Sequence, residues 1–211
     1  MIVLSIDTCG ASGSVALGRV EPGSISLFGE VDLPGKTYSA QLVPEVRGLL
    51  AAHGMGADDL DAIVVVNGPG SFTGIRVGVS SAKGYAEGLN LPIVAVSRLA
   101  VLAWKAEAGR AALDAGRNEL YVRDGSRESL VAAADPLTSA DLAVCEPSLH
   151  WRFPDAMLVE APTAGDALRF AAPRLLAREF ADIATLDGNY VRRSDAELFS
   201  KAAEKAATGK T

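Results

Sequence analysis

Asn67-Gly68-Pro69-Gly70-Ser71-Phe72-Thr73-Gly74-Ile75-Arg76-Val77-Gly78 is the stretch on which the fold turns. The apolar run Ile63-Val64-Val65-Val66 precedes it, and a segment with helical character follows. The reading is strand, glycine-rich turn, helix. Such a junction aims free backbone N–H groups and the positive end of the helix dipole at one point, which suits an anion. It is neither of the two common phosphate loops. A Walker A loop closes on Gly-Lys-Ser/Thr, whereas Gly74 is followed by Ile75 and Arg76. A dinucleotide fingerprint needs a third glycine where Thr73 stands.

Upstream of the loop, Ile2–Ile6 reads as a buried strand ending at Asp7-Thr8, with a small-residue turn over Cys9–Gly13. Ser14–Val20 is a return strand, with Val15, Leu17 and Arg19 expected on one face, and Ser24–Val31 is a third strand after Pro22-Gly23. From Ser39 to His53 the spacing of Leu42, Val46, Leu49 and Leu50 is helical. Ala62–Val66 is the central strand, and the helix after the glycine loop runs from Thr73 to Glu87. Leu91–Val96 is a further strand, and Ser97 caps a short helix over Leu99–Lys105. The first half is therefore β-β-β-α-β-α-β-α.

A second unit begins near Arg110. Ala111–Gly116 repeats the motif of a strand running into an Asp-containing turn, at Asp114, and Asn118–Arg123 and Ser129–Ala133 read as strands. This echo of the opening turn hints at internal repetition. Residues 135–165 are poorly patterned, Asp166–Phe180 is helical with Pro173 as a kink, and the tail from Ala202 is small and polar. The expected division is 1–108 and 109–211, the second unit being the smaller.

Composition sets outer limits. The chain has 211 residues, 49% of them hydrophobic, enough for a sizeable core. Its net charge of −6 is the opposite of a nucleic-acid footprint. Cys9 and Cys145 form neither a disulfide framework nor a CxxC pair, which fits a reduced, cytoplasmic setting. Asp7 interrupts the apolar start, so no signal peptide is expected. No apolar run reaches the ~18 residues of a membrane span.

The glycine stretch with Ala82-Lys83-Gly84 closely resembles the signature of the bacterial TsaB (YeaZ) family, the tRNA threonylcarbamoyladenosine biosynthesis proteins. Ile6-Asp7-Thr8, Ser14-Val15-Ala16-Leu17, Leu113-Asp114-Ala115, Glu119-Leu120-Tyr121 and Tyr190-Val191-Arg192-Arg193 fit the same pattern. The resemblance implies an actin-like, sugar-kinase-like ATPase fold built from ribonuclease H-like α/β units in two subdomains, the second reduced. It also implies a non-catalytic scaffold in the formation of N6-threonylcarbamoyladenosine at position 37 of tRNA. The implied partners are a catalytic TsaD-like subunit and a TsaE-like ATPase. The acidic net charge leads to the expectation that tRNA is met only through the complex, and the small-residue ridge on the helix after the loop to that of a homodimer when the chain is alone.

This chain departs from many relatives at Tyr38-Ser39 (where they have His-Ser), at Cys9 (Ser) and at Gly116 (Arg). The implied nucleotide site is accordingly degenerate. Its candidate contacts are Asp7, Thr8, Cys9, Gly68, Gly70, Ser71, Thr73 and Asp114, with ATP or ADP as candidate occupant of a degenerate or shared site and no cofactor required. The alternative is a small actin-fold ATPase or kinase that places Asp7 and Asp114 around Mg-ATP; against it, each Asp can simply cap its own turn.

No catalytic residue and no metal ligand set is expected. TsaD binds its metal through a His-x-x-x-His pair, whereas His53 and His150 here stand far apart, and His53 is expected to cap a helix end. On the helix after the loop, Gly74, Gly78, Ala82 and Ala86 recur at every fourth residue. Together with Leu42, Val46 and Arg76 they are the expected partner interface, the alternative being that the ridge packs on the chain's own sheet.

Overall fold

The computed structural model describes residues 1–35 and 37–191. Tail residues 192–211, including Arg192 and Arg193, lie outside the described residues.

Strands β1 (Ile2–Asp7), β2 (Gly13–Glu21) and β3 (Ser24–Leu33) form the expected antiparallel meander. Helix α1 (Tyr38–Ala52) leads to β4 (Ala62–Val66), which lies parallel to β1 with Val3 opposite Ala62 and Ile6 opposite Val65. Helix α2 (Phe72–Leu89) follows, then β5 (Ile93–Val96), parallel to β4, and α3 (Arg98–Lys105). The first sheet runs β3-β2-β1-β4-β5.

The second sheet repeats that plan. Strands β6 (Arg110–Gly116), β7 (Glu119–Asp124) and β8 (Arg127–Ala132) form a second antiparallel meander. Strand β9 (Leu142–Val144) then adds parallel to β6, and β10 (Met157–Leu158) parallel to β9, with α4 (Pro147–Arg152) between them. The order β10-β9-β6-β7-β8 mirrors the first sheet, and Asp7 and Asp114 occupy the same place, near the end of the central strand of each. The unpatterned region 135–165 thus holds elements of three, six and two residues, too short for any period to register.

Helix α5 (Ala164–Leu176) ends earlier than its apolar spacing suggested. Arg178 is left-handed at φ 57°, and Phe180 lies beyond the helix. Although α5 follows the second sheet in sequence, it packs across β1, β2 and β4. Ala167, Leu168, Ala171 and Leu175 join the first core. That core therefore draws residues from both sides of the 108/109 division. With α1 and α5 both against it, β2 is buried on both faces, so Ala16 is as inaccessible as Val15 and Leu17. The one-faced alternation expected for β2 fails because its second cover arrives from ~150 residues away.

Candidate functional site

Three segments converge at the end of β1. Asp7, 2% exposed, accepts the N–H of Cys9 at 2.8 Å, closing the turn locally. The Thr8 hydroxyl donates to the Gly74 carbonyl at 2.6 Å, and the Ser71 N–H donates to the Cys9 carbonyl at 2.8 Å. The Cys9 thiol donates to the Val66 carbonyl at 3.2 Å. Tyr38, at the departure from the relatives' His-Ser, donates its hydroxyl to the Gly10 carbonyl at 2.9 Å.

The glycine loop is thus laid directly on the Asp7–Gly10 turn. Ser71 caps α2 by accepting the Gly74 N–H at 3.3 Å. Part of the donor set that would hold a phosphate is already bonded within the chain. Thr73 is exposed at the helix start, and the Gly68 carbonyl takes the N–H of Arg98 at 2.7 Å. The structure therefore brings Asp7, Thr8, Cys9, Gly68, Gly70 and Ser71 together.

Asp114 lies on the second sheet and takes no part in these hydrogen bonds. It closes the equivalent turn by accepting the Gly116 N–H at 2.7 Å, but it is exposed, and its charge acts on Glu146. Among the described residues, no group of three or more His, Cys, Asp or Glu side chains could hold a metal ion. His53 is the residue after α1, with its N–H on the Leu50 carbonyl and its ring beside Phe28.

The electrostatics centre on a residue that the sequence did not single out. Arg98 opens α3, is 8% exposed and interacts electrostatically with Asp7. Burial pushes the Asp7 carboxyl up, against the pull of Arg98. Burial and then the Asp7 charge hold the Cys9 thiol well above its ordinary range. Burial works against the guanidinium of Arg98, but Asp7, Cys145, Cys9 and Glu146 together raise it. Burial likewise raises the Glu146 carboxyl and pushes Cys145 up to about 12, so neither thiol is poised as a nucleophile. Nothing local in Ser97-Arg98-Leu99 signals this role, because Asp7 and Glu146 are remote in sequence.

A second unanticipated hub ties the units together. Glu128 on β8 accepts from Arg123 at 2.9 Å, from the Asn189 side chain at 2.7 Å and from the hydroxyl of Ser97. The Asn189 N–H in turn donates to the Asn67 carbonyl at 2.6 Å.

The expected interface needs correction. Gly74, Gly78, Ala82, Ala86, Leu42 and Val46 are all buried inside the chain. A Cβ on Gly74 would fall on the Thr8 carbonyl oxygen, and one on Gly78 on the Thr8 hydroxyl. The small residues exist so that α2 can lie against β1. Only Arg76 of the set is exposed, its guanidinium 4.1 Å over the Phe72 ring, which also meets Tyr190 at 4.8 Å.

Two sheets of mirrored order, each with an Asp turn near the end of its central strand, define the actin-like, ribonuclease H-like ATPase fold. The family model described as TsaD, tRNA N6-adenosine threonylcarbamoyltransferase, matches residues 33–187. The tRNA threonylcarbamoyladenosine biosynthesis protein TsaB of Haemophilus influenzae is 36% identical over 137 residues, 62% of this chain and 56% of that protein. The chain thus spans little more than half the length of that relative. An uncharacterized Mycobacterium tuberculosis protein is 33% identical over 204 residues, 92% of this chain and 93% of its own length. The solved YeaZ of Pseudomonas aeruginosa superposes with a TM-score of 0.71 at 27% identity, covering 89% of this chain and all of that one. The chain belongs to the TsaB (YeaZ) family.

Proposed function

We propose that the chain is a non-catalytic partner subunit in the formation of N6-threonylcarbamoyladenosine at position 37 of tRNA. It pairs with a TsaD-like catalytic protein, works with a TsaE-like ATPase in the cytoplasm, and meets tRNA through the complex. Without the partner it pairs with its own copy.

The observation that carries this reading is the outer side of α1 and α2. A groove of about 590 Å3 runs between the helices, lined by Val43, Arg47, Leu50, Met55, Ser81 and Tyr85. Gly84 lines it too, Gly88 follows one turn later, and a Cβ at either would meet nothing within 4 Å among the described residues. Glycine inside a helix costs roughly 1 kcal/mol relative to alanine. At Gly74 and Gly78 contact with the Ile6–Thr8 end of β1 explains that cost, whereas at Gly84 and Gly88 nothing among the described residues does. A helix pair from another subunit, packed close against these glycines and over Val43 and Tyr85, would. The described helices include none long and apolar enough to cross a membrane.

The test is reconstitution. The purified chain alone should neither hydrolyse ATP nor transfer threonylcarbamoyl to tRNA at an enzyme-like rate. Adding it to a TsaD-like protein should restore transfer. Steady ATP turnover by the chain alone, abolished by Asp7→Ala, would replace this reading with the kinase.

A further inference from the structure

An exposed aromatic platform with a cation on it stands at the first turn of α2. Phe72, the first residue of the helix, is 37% exposed. The Arg76 guanidinium lies 4.1 Å over its ring, and the Tyr190 ring is 4.8 Å away at an angle of 44°. Arg76 is itself exposed, and among the described residues its guanidinium forms no ion pair.

The chain holds Tyr190 in this place from several directions. Lys83 donates to the Leu186 carbonyl at 3.2 Å, and Asn189 is tied to the Asn67 carbonyl at 2.6 Å and to Glu128 at 2.7 Å. Gly188 clears the space for the ring, since a Cβ there would stand 2.6 Å from both Tyr190 Cζ and Ile75 Cγ2. The carboxylate of this segment, Asp187, accepts the Gly188 N–H at 2.7 Å.

A guanidinium stacked on a ring keeps its N–H groups for an anion. An unstacked nucleotide offers both complements in one unit, a base for the rings and a phosphate for the cation. The charge of the chain agrees. The twenty residues after Val191 carry five lysines and arginines against three aspartates and glutamates, whereas the whole chain is at −6. With that overall charge the chain gathers a polyanion poorly, so the platform acts on a strand that a partner already holds.

We propose that Phe72, Arg76 and Tyr190 form a contact surface for single-stranded RNA, one base stacking on the rings and its phosphate meeting Arg76. In one respect this rests on the partner-subunit reading: the RNA is the tRNA held by the TsaD-like protein.

Fluorescence anisotropy tests it on two preparations. In the reconstituted complex with an unmodified tRNA transcript, Phe72→Ala and Arg76→Gln should each weaken binding about tenfold. Arg76→Gln should also lower the salt slope by about one, and Phe72→Tyr, which keeps the aromatic face, should bind as wild type. The full chain alone should bind a labelled oligouridylate weakly at ~50 mM salt. Phe72→Ala should abolish that binding, and ADP at equal concentration should not compete with it. Calorimetric binding of each variant to the TsaD-like protein should be unchanged. The proposal is overturned if Phe72→Ala is without effect, if Phe72→Tyr loses as much as Phe72→Ala, or if ADP displaces the oligouridylate. It is also overturned if the substitutions break the protein complex, which would make the platform a protein contact. If no complex forms at all, the partner-subunit reading fails, and the chain alone decides: an oligouridylate that does not bind it overturns the platform.

Discussion

The inner and outer faces of α2 carry the same residue for opposite reasons. On the inner face, Gly74 and Gly78 let the helix lie on β1, where the Thr8 hydroxyl reaches the Gly74 carbonyl at 2.6 Å. On the outer face, Gly84 and Gly88 have open space before them among the described residues. A spacing of four residues marks a small-residue ridge but does not say which side the partner is on. The ridge read from sequence, Gly74-Gly78-Ala82-Ala86, is the one that belongs to the chain's own sheet. The difference teaches that a helical ridge becomes an interface argument only after internal packing has been subtracted.

The sharpest way to break this contrast is to enlarge the inner ridge. Gly74→Ala sets a methyl against a backbone oxygen that cannot swing aside, and Ala82→Leu overfills a fully buried site. Each should cost about 3 kcal/mol, read as a fall in the urea midpoint with unchanged slope. A variant that keeps its stability would mean the ridge is not packed as described. Next comes the tie between the units. Glu128→Ala strands Arg123, Asn189 and Ser97, and should cost about 2 kcal/mol in the same measurement. The outer face should respond with the opposite sign. Gly84→Ala and Gly88→Ala in the isolated chain should each stabilise by up to ~1 kcal/mol, and destabilisation would show hidden packing there.

The smallest effect concerns pH. Burial raises the carboxyls of Asp7 and Glu146. Above the ordinary carboxylate range the folded chain therefore retains protons that the unfolded chain has lost. Stability from these groups is full below their unfolded values of about 4 and declines as pH rises through the folded values. Glu146→Gln should flatten that decline in urea titrations, and an unaltered profile would mean that Glu146 titrates like an exposed carboxyl.

Much of the first unit was legible because its signals are local. The run Ile63–Val66, the Ser97 cap and the periodicity of Leu42, Val46, Leu49 and Leu50 each act within one or two turns, and the order of its strands and helices followed. The two Asp turns were legible for the same reason, since each carboxylate bonds a backbone N–H two residues on. What escaped is what the chain assembles from afar. The cover of β2 by α5, the pairing of β9 and β10, the Arg98–Asp7–Glu146 cluster and the Glu128 hub join segments with no common local pattern. Arg98 in particular reads as an ordinary residue in the first turn of a short helix. Its burial depends on Gly10 leaving room for its guanidinium.

The most direct test of the partner surface is a single outer-face substitution, Gly84→Leu, measured two ways on one preparation. Thermal unfolding of the isolated chain should be unchanged or slightly raised, because the leucine enters open space. Calorimetric binding to a TsaD-like protein should be lost, because the same leucine blocks close approach of the partner's helices. A folded Gly84→Leu chain that binds with wild-type affinity would contradict the account and move the partner surface off α1 and α2.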